Sequence, residues 1–141
     1  MPKQLLSLPD LLASLDQLGH IMRSYELPAA VEAEALAVNP WFTRHYLREA
    51  MAGIGQWLQK EHVQAFLENY PYPASSCRQI GIITAGNVPL VGFHDLLMTL
   101  LAGHVAWVQS SQQDRVLMAW VHATWTKIFP NLANFFHLNP L

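Results

Sequence analysis

The sequence predicts an α/β protein in which a helical N-terminal region precedes the opening β-α-β-α of a parallel sheet. Apolar residues recur at helical spacing through the first half of the chain, whereas residues 80–111 contain two short strand-like runs separated by an apolar helix. A stretch rich in proline and serine lies between the two patterns and is typical of a loop. We therefore expect a helical region over residues 1–70, a loop over residues 71–78 and the start of an α/β domain over residues 79–141.

The helical region is predicted to contain three full helices. Ser7 is a suitable N-cap for the first, whose apolar side chains recur three and four positions apart. The second covers residues 28–38 and ends at Asn39, because a residue that precedes a proline disfavours helical backbone. Thr43 caps the third helix, and residues 62–69 are expected to add one or two helical turns. The inward face of the third helix is expected to consist of Tyr46, Leu47, Met51, Ile54, Trp57 and Leu58.

The α/β part is predicted to begin with a strand over residues 80–83, which leads into a turn at residues 85–87. Pro89 stands at the expected first position of a helix that continues to Ala102. A second strand follows over residues 105–108. Ligands of open α/β sheets bind at the carboxyl ends of the strands, so the turn after the first strand is the place to look for function.

The chain is expected to continue this alternation after the second strand. A further helix is predicted over residues 113–128, capped by Ser110 or Ser111, and residues 134–138 are expected to begin a third strand. A parallel sheet with helices on both faces needs more strands than these. We therefore expect the chain to be the front part of a longer α/β protein.

Composition excludes several classes of function. Hydrophobic residues make up 52% of the chain and charged residues only 13%, against about 25% in typical proteins, which suggests that some surface is buried against a partner. The net charge of −2 provides no electrostatic footprint for nucleic acid or an anionic membrane. The N-terminus lacks a signal peptide, no apolar run is long enough to span a membrane, and Cys77 is the single cysteine, so we expect a cytoplasmic protein. The seven histidines include no i,i+4 pair, so no metal site is predicted.

Asn87, in the turn after the first strand, is the first candidate for chemistry. A side-chain amide can stabilise the negative charge that develops on a carbonyl oxygen during acyl transfer, and a helix N-terminus from Leu90 is expected to support it. The alternative role is structural, since Gly-Asn pairs are common in turns. Spacing alone favours the structural alternative.

Two further polar groups flank the predicted helices. Ser110, Ser111 and Gln112 form a polar loop at a helix start, which suits a phosphate or ribose, although capping of that helix is the simpler interpretation. His94 and Asp95 are neighbours on the helix after Asn87 and do not face each other. We therefore expect each of them to make a buried hydrogen bond and not to form a proton-transfer dyad.

The segment AGNVPLVGFHDLLMTLLAGHVAWVQSS, residues 85–111, resembles the acyl-CoA reductase family, which includes the fatty-acid reductase subunit of bacterial bioluminescence. That family belongs to the aldehyde dehydrogenase superfamily. The string NPWFT at residues 39–43 is similar to its helical N-terminal region, and the similarity covers most of residues 27–141. The resemblance implies an aldehyde-dehydrogenase-like, Rossmann-type sheet whose domain binds a dinucleotide. It also implies reduction of a long-chain acyl-CoA to a fatty aldehyde with NADPH, through a thioester on a catalytic cysteine.

The resemblance assigns roles to particular residues. Asn87 matches the superfamily asparagine whose amide helps to hold the thioester oxygen. Gln109 stands where the family usually has a lysine that contacts the adenosine ribose, so the affinity for NADP is expected to be weakened. Ser110, Ser111 and Gln112 are expected to complete the cofactor contact. Cys77 precedes the first strand and does not match the nucleophile, which is expected beyond residue 141, so the chain alone is expected to be inactive.

Two other functions stay open at this point. The chain could instead be a non-catalytic interaction module that buries its apolar surface against a partner or against itself as a homo-oligomer. A small nucleotide-binding domain with its own activity is the least favoured alternative. In the first hypothesis the partner is the acyl-CoA substrate, and neither nucleic acid nor a membrane is involved.

Overall fold

The computed structural model describes residues 5–74 and 76–140. No helix within these residues combines the length and the apolar character needed to cross a membrane. The elements, in chain order, are α1 (Leu8–Arg23), α2 (Ala29–Val38), α3 (Arg44–Trp57), α4 (Lys60–Leu67), β1 (Gln79–Ile83), α5 (Phe93–Leu101), β2 (Val105–Gln109), α6 (Arg115–Ile128), a 3₁₀ helix (Pro130–Asn134) and β3 (Phe136–Leu138).

The predicted ends of the first three helices are confirmed by their caps. The Ser7 hydroxyl accepts from the Asp10 N–H at 3.4 Å, and the Thr43 hydroxyl accepts from the Tyr46 N–H at 3.1 Å. Asn39 ends α2 in extended backbone, as expected for a residue before proline. These local signals are strong because each one satisfies or removes a backbone group that the helix itself leaves unpaired.

The predicted inward face of α3 is only partly right. Leu47, Met51, Ile54 and Leu58 are at most 5% exposed, whereas Tyr46 and Trp57 are 55% and 47% exposed. The four buried residues follow one another at intervals of three and four, so they form a single stripe along the helix. Tyr46 and Trp57 each precede a member of that stripe by one position. They therefore lie about 100° away from it and remain open to solvent.

The three strands form a parallel sheet in the order β1-β2-β3, as expected for strands joined by crossover helices. β1 and β2 pair along their full length, from Gln79 opposite Val105 to Ile83 opposite Gln109. β3 begins at Phe136 and not at residue 134, because the 3₁₀ helix occupies the preceding residues. The mixed α/β fold with a parallel sheet is therefore confirmed.

The helix after β1 begins later than predicted. α5 starts at Phe93, whereas Pro89 was expected to be its first residue. Residues 88–92 form turns instead, and Leu90 within them has a positive φ of 56°, which a right-handed helix cannot accommodate. Pro89, which suits the first position of a helix, therefore lies in a turn that ends just before α5 begins.

The two faces of the sheet have different environments. Ile82, Ala106, Val108 and Phe136 point to the face covered by α5 and α6 and are at most 7% exposed. On the opposite face Ile83 is 90% exposed, and the Trp107 ring stacks on His137 with ring centroids 4.0 Å apart. The crossover helices α5 and α6 both contact the sheet from the first face, whereas the 3₁₀ helix contributes Asn131 and Asn134 to a cavity that Trp107 lines on the second face.

Trp125 of α6 joins the helical region to the sheet in one core. Its side chain is fully buried, and its indole N–H donates to the Ser14 hydroxyl of α1 at 2.9 Å. Its ring lies 6.0 Å from Phe93 and 6.2 Å from Phe136, measured between centroids. The Ser14 hydroxyl donates in turn to the Leu11 carbonyl at 2.8 Å, so this buried polar group has both of its partners.

Ser14→Ala should destabilise the protein by about 1–3 kcal/mol, because it leaves the buried indole N–H of Trp125 without an acceptor. Urea unfolding of the variant and the wild type measures the loss. Ser24→Ala, at an exposed serine after α1, is the control and should lie within about 0.5 kcal/mol of wild type. An equal effect of both substitutions would contradict the role assigned to Ser14.

Candidate functional site

The candidate site lies at the carboxyl ends of β1 and β2, where two loops leave the sheet side by side. The loop after β1 covers residues 84–92 and the loop after β2 covers residues 110–114. Thr84 ties them together, because its hydroxyl accepts from the Ser111 N–H at 3.2 Å and its own N–H donates to the Gln109 carbonyl at 3.1 Å. This is the edge at which open α/β sheets bind ligands.

Gly86 allows the two loops to approach each other. A Cβ at this position would lie 2.1 Å from the Ser111 hydroxyl oxygen and 2.9 Å from the Gln113 Cβ. Gly92 has a different part, within the loop after β1 itself, because a Cβ there would lie 2.2 Å from a methyl carbon of Thr84 at the other end of the same loop. Gly86 therefore determines how closely the Asn87 turn sits against the loop after β2.

Asn39 connects the helical region to this turn. Its side chain is 3% exposed, its amide nitrogen donates to the Gly86 carbonyl at 3.0 Å, and its side-chain oxygen accepts from the Trp41 N–H at 3.0 Å. Sequence analysis used Asn39 only as a helix end and missed this role. The signal was its place in the NPWFT string, which resembles the same family as the turn that it contacts.

Asn87 lies in an open cleft of about 470 Å³. The residue is exposed, and the cleft is also lined by Asn39, Gly86, Trp41 and Gln113. The Trp41 ring is 84% exposed at its rim, an unusual position for so large an apolar side chain. Sequence analysis missed Trp41 and Gln113 as neighbours of Asn87, since they are distant along the chain or lie on the following loop.

The expected support of Asn87 by a helix N-terminus at Leu90 is wrong. α5 begins at Phe93, and the N–H of Leu90 donates to the Asp114 carboxylate at 2.9 Å. The polar groups nearest in sequence to Asn87 therefore belong to turns. The aligned peptides of α5 begin at Phe93, six positions after Asn87 along the chain.

Asp114 is the most perturbed group of the site and was not recognised from the sequence. The residue is 1% exposed, and its second carboxylate oxygen is buried without a hydrogen-bond partner among the described residues. Burial raises the pKa of Asp114 to about 7, and the hydrogen bond from the Leu90 N–H opposes that rise. Asp114 thereby holds the loop after β1 to the start of α6, with a charge that is incomplete near neutral pH.

The four residues predicted to contact a cofactor differ in their environment. Ser110 is 6% exposed, and both its N–H and its hydroxyl donate to the Asn139 side-chain oxygen, at 2.8 and 3.0 Å. Ser111 is half-buried and Gln112 is exposed. The side-chain oxygen of Gln109 is buried and has no hydrogen-bond partner within residues 5–74 and 76–140. A buried acceptor of this kind is unsatisfied in the free protein and suits a ligand hydroxyl.

The helix after this loop also begins later than predicted. α6 starts at Arg115 with Asp114 as its N-cap, whereas a start at residue 113 with a serine cap was expected. The Ser111 hydroxyl accepts from the Asp114 N–H at 3.3 Å and so caps the preceding turn. Ser111 therefore makes a capping hydrogen bond as expected, but it caps the turn that precedes α6 and not α6 itself.

The expectation of buried hydrogen bonds for His94 and Asp95 is wrong. Their side chains are 59% and 73% exposed, and the His94 Nδ1 lies 3.7 Å from the nearer Asp95 oxygen. That separation is too long for a hydrogen bond, so the pair does not form a proton-transfer dyad either. Both residues lie in the first turn of α5, on the solvent side of the helix that carries the core residues Phe93 and Leu96.

Cys77 lies at the other end of the sheet. It is half-buried before β1 and lines a cavity with Gln79, Val105 and Trp107. β1 has five residues, which corresponds to about 16 Å of extended chain between this end and the Asn87 turn. The thiol of Cys77 therefore does not reach a carbonyl held by Asn87.

The comparison with family models now gives a match that fits this arrangement. The model described as "Acyl-CoA reductase (LuxC)" matches residues 30–134, which is more than half of the chain. The chain belongs to the LuxC acyl-CoA reductase family. The matched residues include Asn39, the Asn87 turn and the loop after β2, so the family assignment covers the whole candidate site. Searches of curated proteins and of solved structures give no match.

Asp114→Asn should remove a pH dependence from the stability of this LuxC-family chain. The pKa of Asp114 is about 7 in the folded state and 3.8 ordinarily, so the folded state keeps a proton that the unfolded state loses. The contribution of the protonated Asp114 carboxyl to the free energy of unfolding is complete below pH 4 and is lost as the pH rises through 7. Urea unfolding at pH 5 and pH 8 should show wild type losing about 2–3 kcal/mol relative to the asparagine variant.

The comparison of the two proteins cancels the contributions of all other titrating groups. Identical pH dependence in both would contradict the assignment of a proton to Asp114 at pH 5. A loss of stability in the variant at both pH values by the same amount would indicate a packing effect and not the titration of this carboxyl.

Proposed function

We propose that this chain forms the thioester-oxygen site and part of the cofactor site of an NADPH-dependent acyl-CoA reductase. The reaction converts a long-chain acyl-CoA to a fatty aldehyde through a thioester on a cysteine, in the cytoplasm. The family assignment supports the reaction class. The observation that carries the proposal is the exposed Asn87 in a cleft at the carboxyl ends of two parallel strands.

In this proposal residues 79–141 are the start of an aldehyde-dehydrogenase-like, Rossmann-type dinucleotide-binding domain. Residues 1–70 are its helical N-terminal region, joined to it by the loop over residues 71–78. The parallel order β1-β2-β3 with crossover helices on one face supports this assignment. The buried contact between Asn39 and the Gly86 carbonyl gives the helical region a direct part in the site.

Asn87 acts on the oxygen of the thioester carbonyl. Attack by a thiolate converts that carbonyl into a tetrahedral centre whose oxygen is negatively charged, and the Asn87 amide N–H donates to it. One such preorganised donor lowers the barrier by about 3–4 kcal/mol. Preorganisation depends on Asn39 and Gly86, since they fix the backbone on which Asn87 stands.

The residues after β2 fit the ribose of a dinucleotide. The buried, unpartnered oxygen of Gln109 can accept from a ribose hydroxyl, and Ser111 and Gln112 stand beside it at the start of α6. NADPH, when bound, supplies the hydride that reduces the thioester. Gln109 offers no positive charge to a 2′-phosphate, so the proposal includes an affinity for NADPH that is weaker than a lysine at this position would provide.

The thiolate of this reaction comes from outside residues 1–141. Cys77 is the single cysteine of these residues and lies at the amino end of β1, away from Asn87. The proposal therefore assigns binding and oxyanion stabilisation to this chain and the covalent step to another segment or subunit.

A non-catalytic interaction module is the second candidate function. The observation that favours it is the exposed apolar surface on the second face of the sheet, where Ile83 is 90% and Trp107 39% exposed. A homo-oligomer could cover that face. The two candidates are separated by whether the gene product reduces acyl-CoA at all, because an interaction module has no such activity.

Asn87→Ala in the complete gene product should lower kcat for acyl-CoA reduction by about 10²–10³, with a smaller change in KM, because the amide binds the oxygen mainly in the transition state. The measurement follows NADPH oxidation and aldehyde formation. Cys77→Ser is the matched control and should retain wild-type activity. Loss of activity in the serine variant with an active Asn87 variant would reverse the assignment.

Gln109→Lys should strengthen NADPH binding by about tenfold, which corresponds to one added charge-assisted contact of about 1.4 kcal/mol. The affinity for NADH should change less, because NADH has no 2′-phosphate. Titration of the quenching of tryptophan fluorescence measures both. A variant whose affinities for the two dinucleotides change equally would argue against an adenosine ribose next to Gln109.

A further inference from the structure

The side chain of Asp114 does not make the contact that is usual for an aspartate at a helix start. Asp114 is the N-cap of α6, but its carboxyl makes no hydrogen bond to the first turn of that helix. One oxygen accepts instead from the Leu90 N–H at 2.9 Å, and the other is buried without a hydrogen-bond partner in the described part of the chain. The first N–H groups of a helix have no acceptor within it, so the start of α6 offers this carboxyl a second position.

The hydrogen bond from Leu90 is one of two contacts that hold the Asn87 turn. On the amino-terminal side of Asn87, the Gly86 carbonyl accepts from the Asn39 amide. On the other side, Leu90 is 2% exposed and has a positive φ of 56°, a conformation that costs free energy in a residue other than glycine. Loss of the Asp114 contact therefore removes a hydrogen bond that offsets this cost.

The two protonation states of Asp114 favour different positions of its side chain. Next to Leu90 the residue is 1% exposed, and burial disfavours the ionised carboxylate. At the first turn of α6 the carboxylate would meet several N–H groups at the positive end of the helix dipole, which favour the ionised form. Protonation therefore stabilises the contact with Leu90, and ionisation stabilises capping of α6.

Charged neighbours do not reverse this preference. The two loops over residues 84–92 and 110–113 contain no titratable side chain. Arg115, the first residue of α6, is directed to Glu34 of α2 at 4.0 Å and is 48% exposed. His94 and Asp95, in the first turn of α5, are 59% and 73% exposed. Burial and the hydrogen bond from Leu90 are the causes of the shifted pKa of Asp114.

We propose that Asp114 is a proton-controlled switch for the Asn87 turn. The protonated carboxyl holds the Leu90 N–H and keeps the turn against the loop after β2. The ionised carboxylate leaves Leu90, caps the first turn of α6 and releases residues 88–92. The cleft that contains Asn87 is therefore more rigid at acidic pH than at alkaline pH. The switch involves neither a substrate nor a cofactor, so it stands or falls independently of the proposed function.

Native-state hydrogen exchange of the 141-residue chain, followed by NMR, tests the switch at the Leu90 amide. Opening of the turn releases a proton at pH values between the ordinary pKa of Asp114, 3.8, and its folded-state pKa of about 7. The opening constant should rise almost tenfold from pH 5 to pH 6 and level off above pH 7, with a total increase of about 90-fold by pH 8.

Asp114→Asn is the reference in which the switch cannot act. The asparagine oxygen can accept from the Leu90 N–H and the side chain is uncharged at every pH, so the opening constant should stay the same across this range. The sequence around Leu90 is unchanged, so the ratio of exchange rates in the two proteins cancels the intrinsic pH dependence of exchange. Asp95→Asn is the matched control, because it removes an exposed carboxylate of α5, and it should follow the wild-type curve.

Two results would overturn the switch. One is an opening constant of Leu90 that does not change with pH in the wild type, or that changes equally in Asp114→Asn. The other is an opening constant equal to that of Met51, a core residue of α3, at every pH, because Leu90 would then exchange only through global unfolding. If Asp114→Asn does not fold, the wild-type curve, corrected with the exchange rates of unstructured peptides, decides between the same outcomes.

Discussion

The side chain of Asn39 determines where the turn after β1 can lie. Its amide donates to the Gly86 carbonyl from a position that is 3% exposed, so water does not compete for that carbonyl. On the other side of the same turn, Gly86 approaches the loop after β2 more closely than a residue with a Cβ could at that position. The turn is thus held between the helical region and the neighbouring loop. The backbone of Asn87, the next residue, is fixed by these contacts, and electrostatic preorganisation requires a fixed backbone.

Asp114 adds a second tie at a considerable energetic cost. A carboxylate that is 1% exposed loses most of its hydration, and a single N–H from Leu90 replaces it. The group reduces this cost by retaining a proton more readily than an exposed aspartate does, which is the meaning of its raised pKa. The same contact accommodates the positive φ of Leu90, so the local backbone and the buried charge depend on each other.

The sequence predicted the elements that depend on local chemistry. Caps such as Ser7 and Thr43, the proline after Asn39 and the strand–helix–strand pattern act over a few residues, and the structure contains them. The parallel pairing of β1 and β2 followed from the length of the crossover. The family resemblance found from residues 85–111 agrees with the family assignment over residues 30–134. The Asn87 turn could also be recognised from the sequence, because its residues are contiguous.

The errors occur where the decisive partner is distant along the chain. Pro89 is compatible with a helix start, but the Leu90 N–H is held by Asp114, twenty-four positions later. Asn39 reads as a simple helix end because its partner Gly86 is 47 positions away. His94 was expected to make a buried hydrogen bond, yet its side chain is 59% exposed, because the residues of α5 that pack on the core lie on another side of the helix. Hydrophobic periodicity predicts which face of a helix is buried, but it does not predict whether residues at the edge of that face are covered by neighbouring elements.

The burial of Trp125 against Ser14 has a consequence for how such proteins can be recombined. The Trp125 indole of α6 donates to the Ser14 hydroxyl of α1, more than a hundred residues earlier. The Asn87 turn is held by the side-chain amide of Asn39, which follows α2. The helical region and the sheet therefore share one core, although a proline-rich stretch separates them along the chain. A chimaera that joined another helical segment to this sheet at that loop would have to bring its own equivalents of Ser14 and Asn39. Without them the chimaera would have a continuous chain but would lack the hydrogen bonds that position Trp125 and the Asn87 turn.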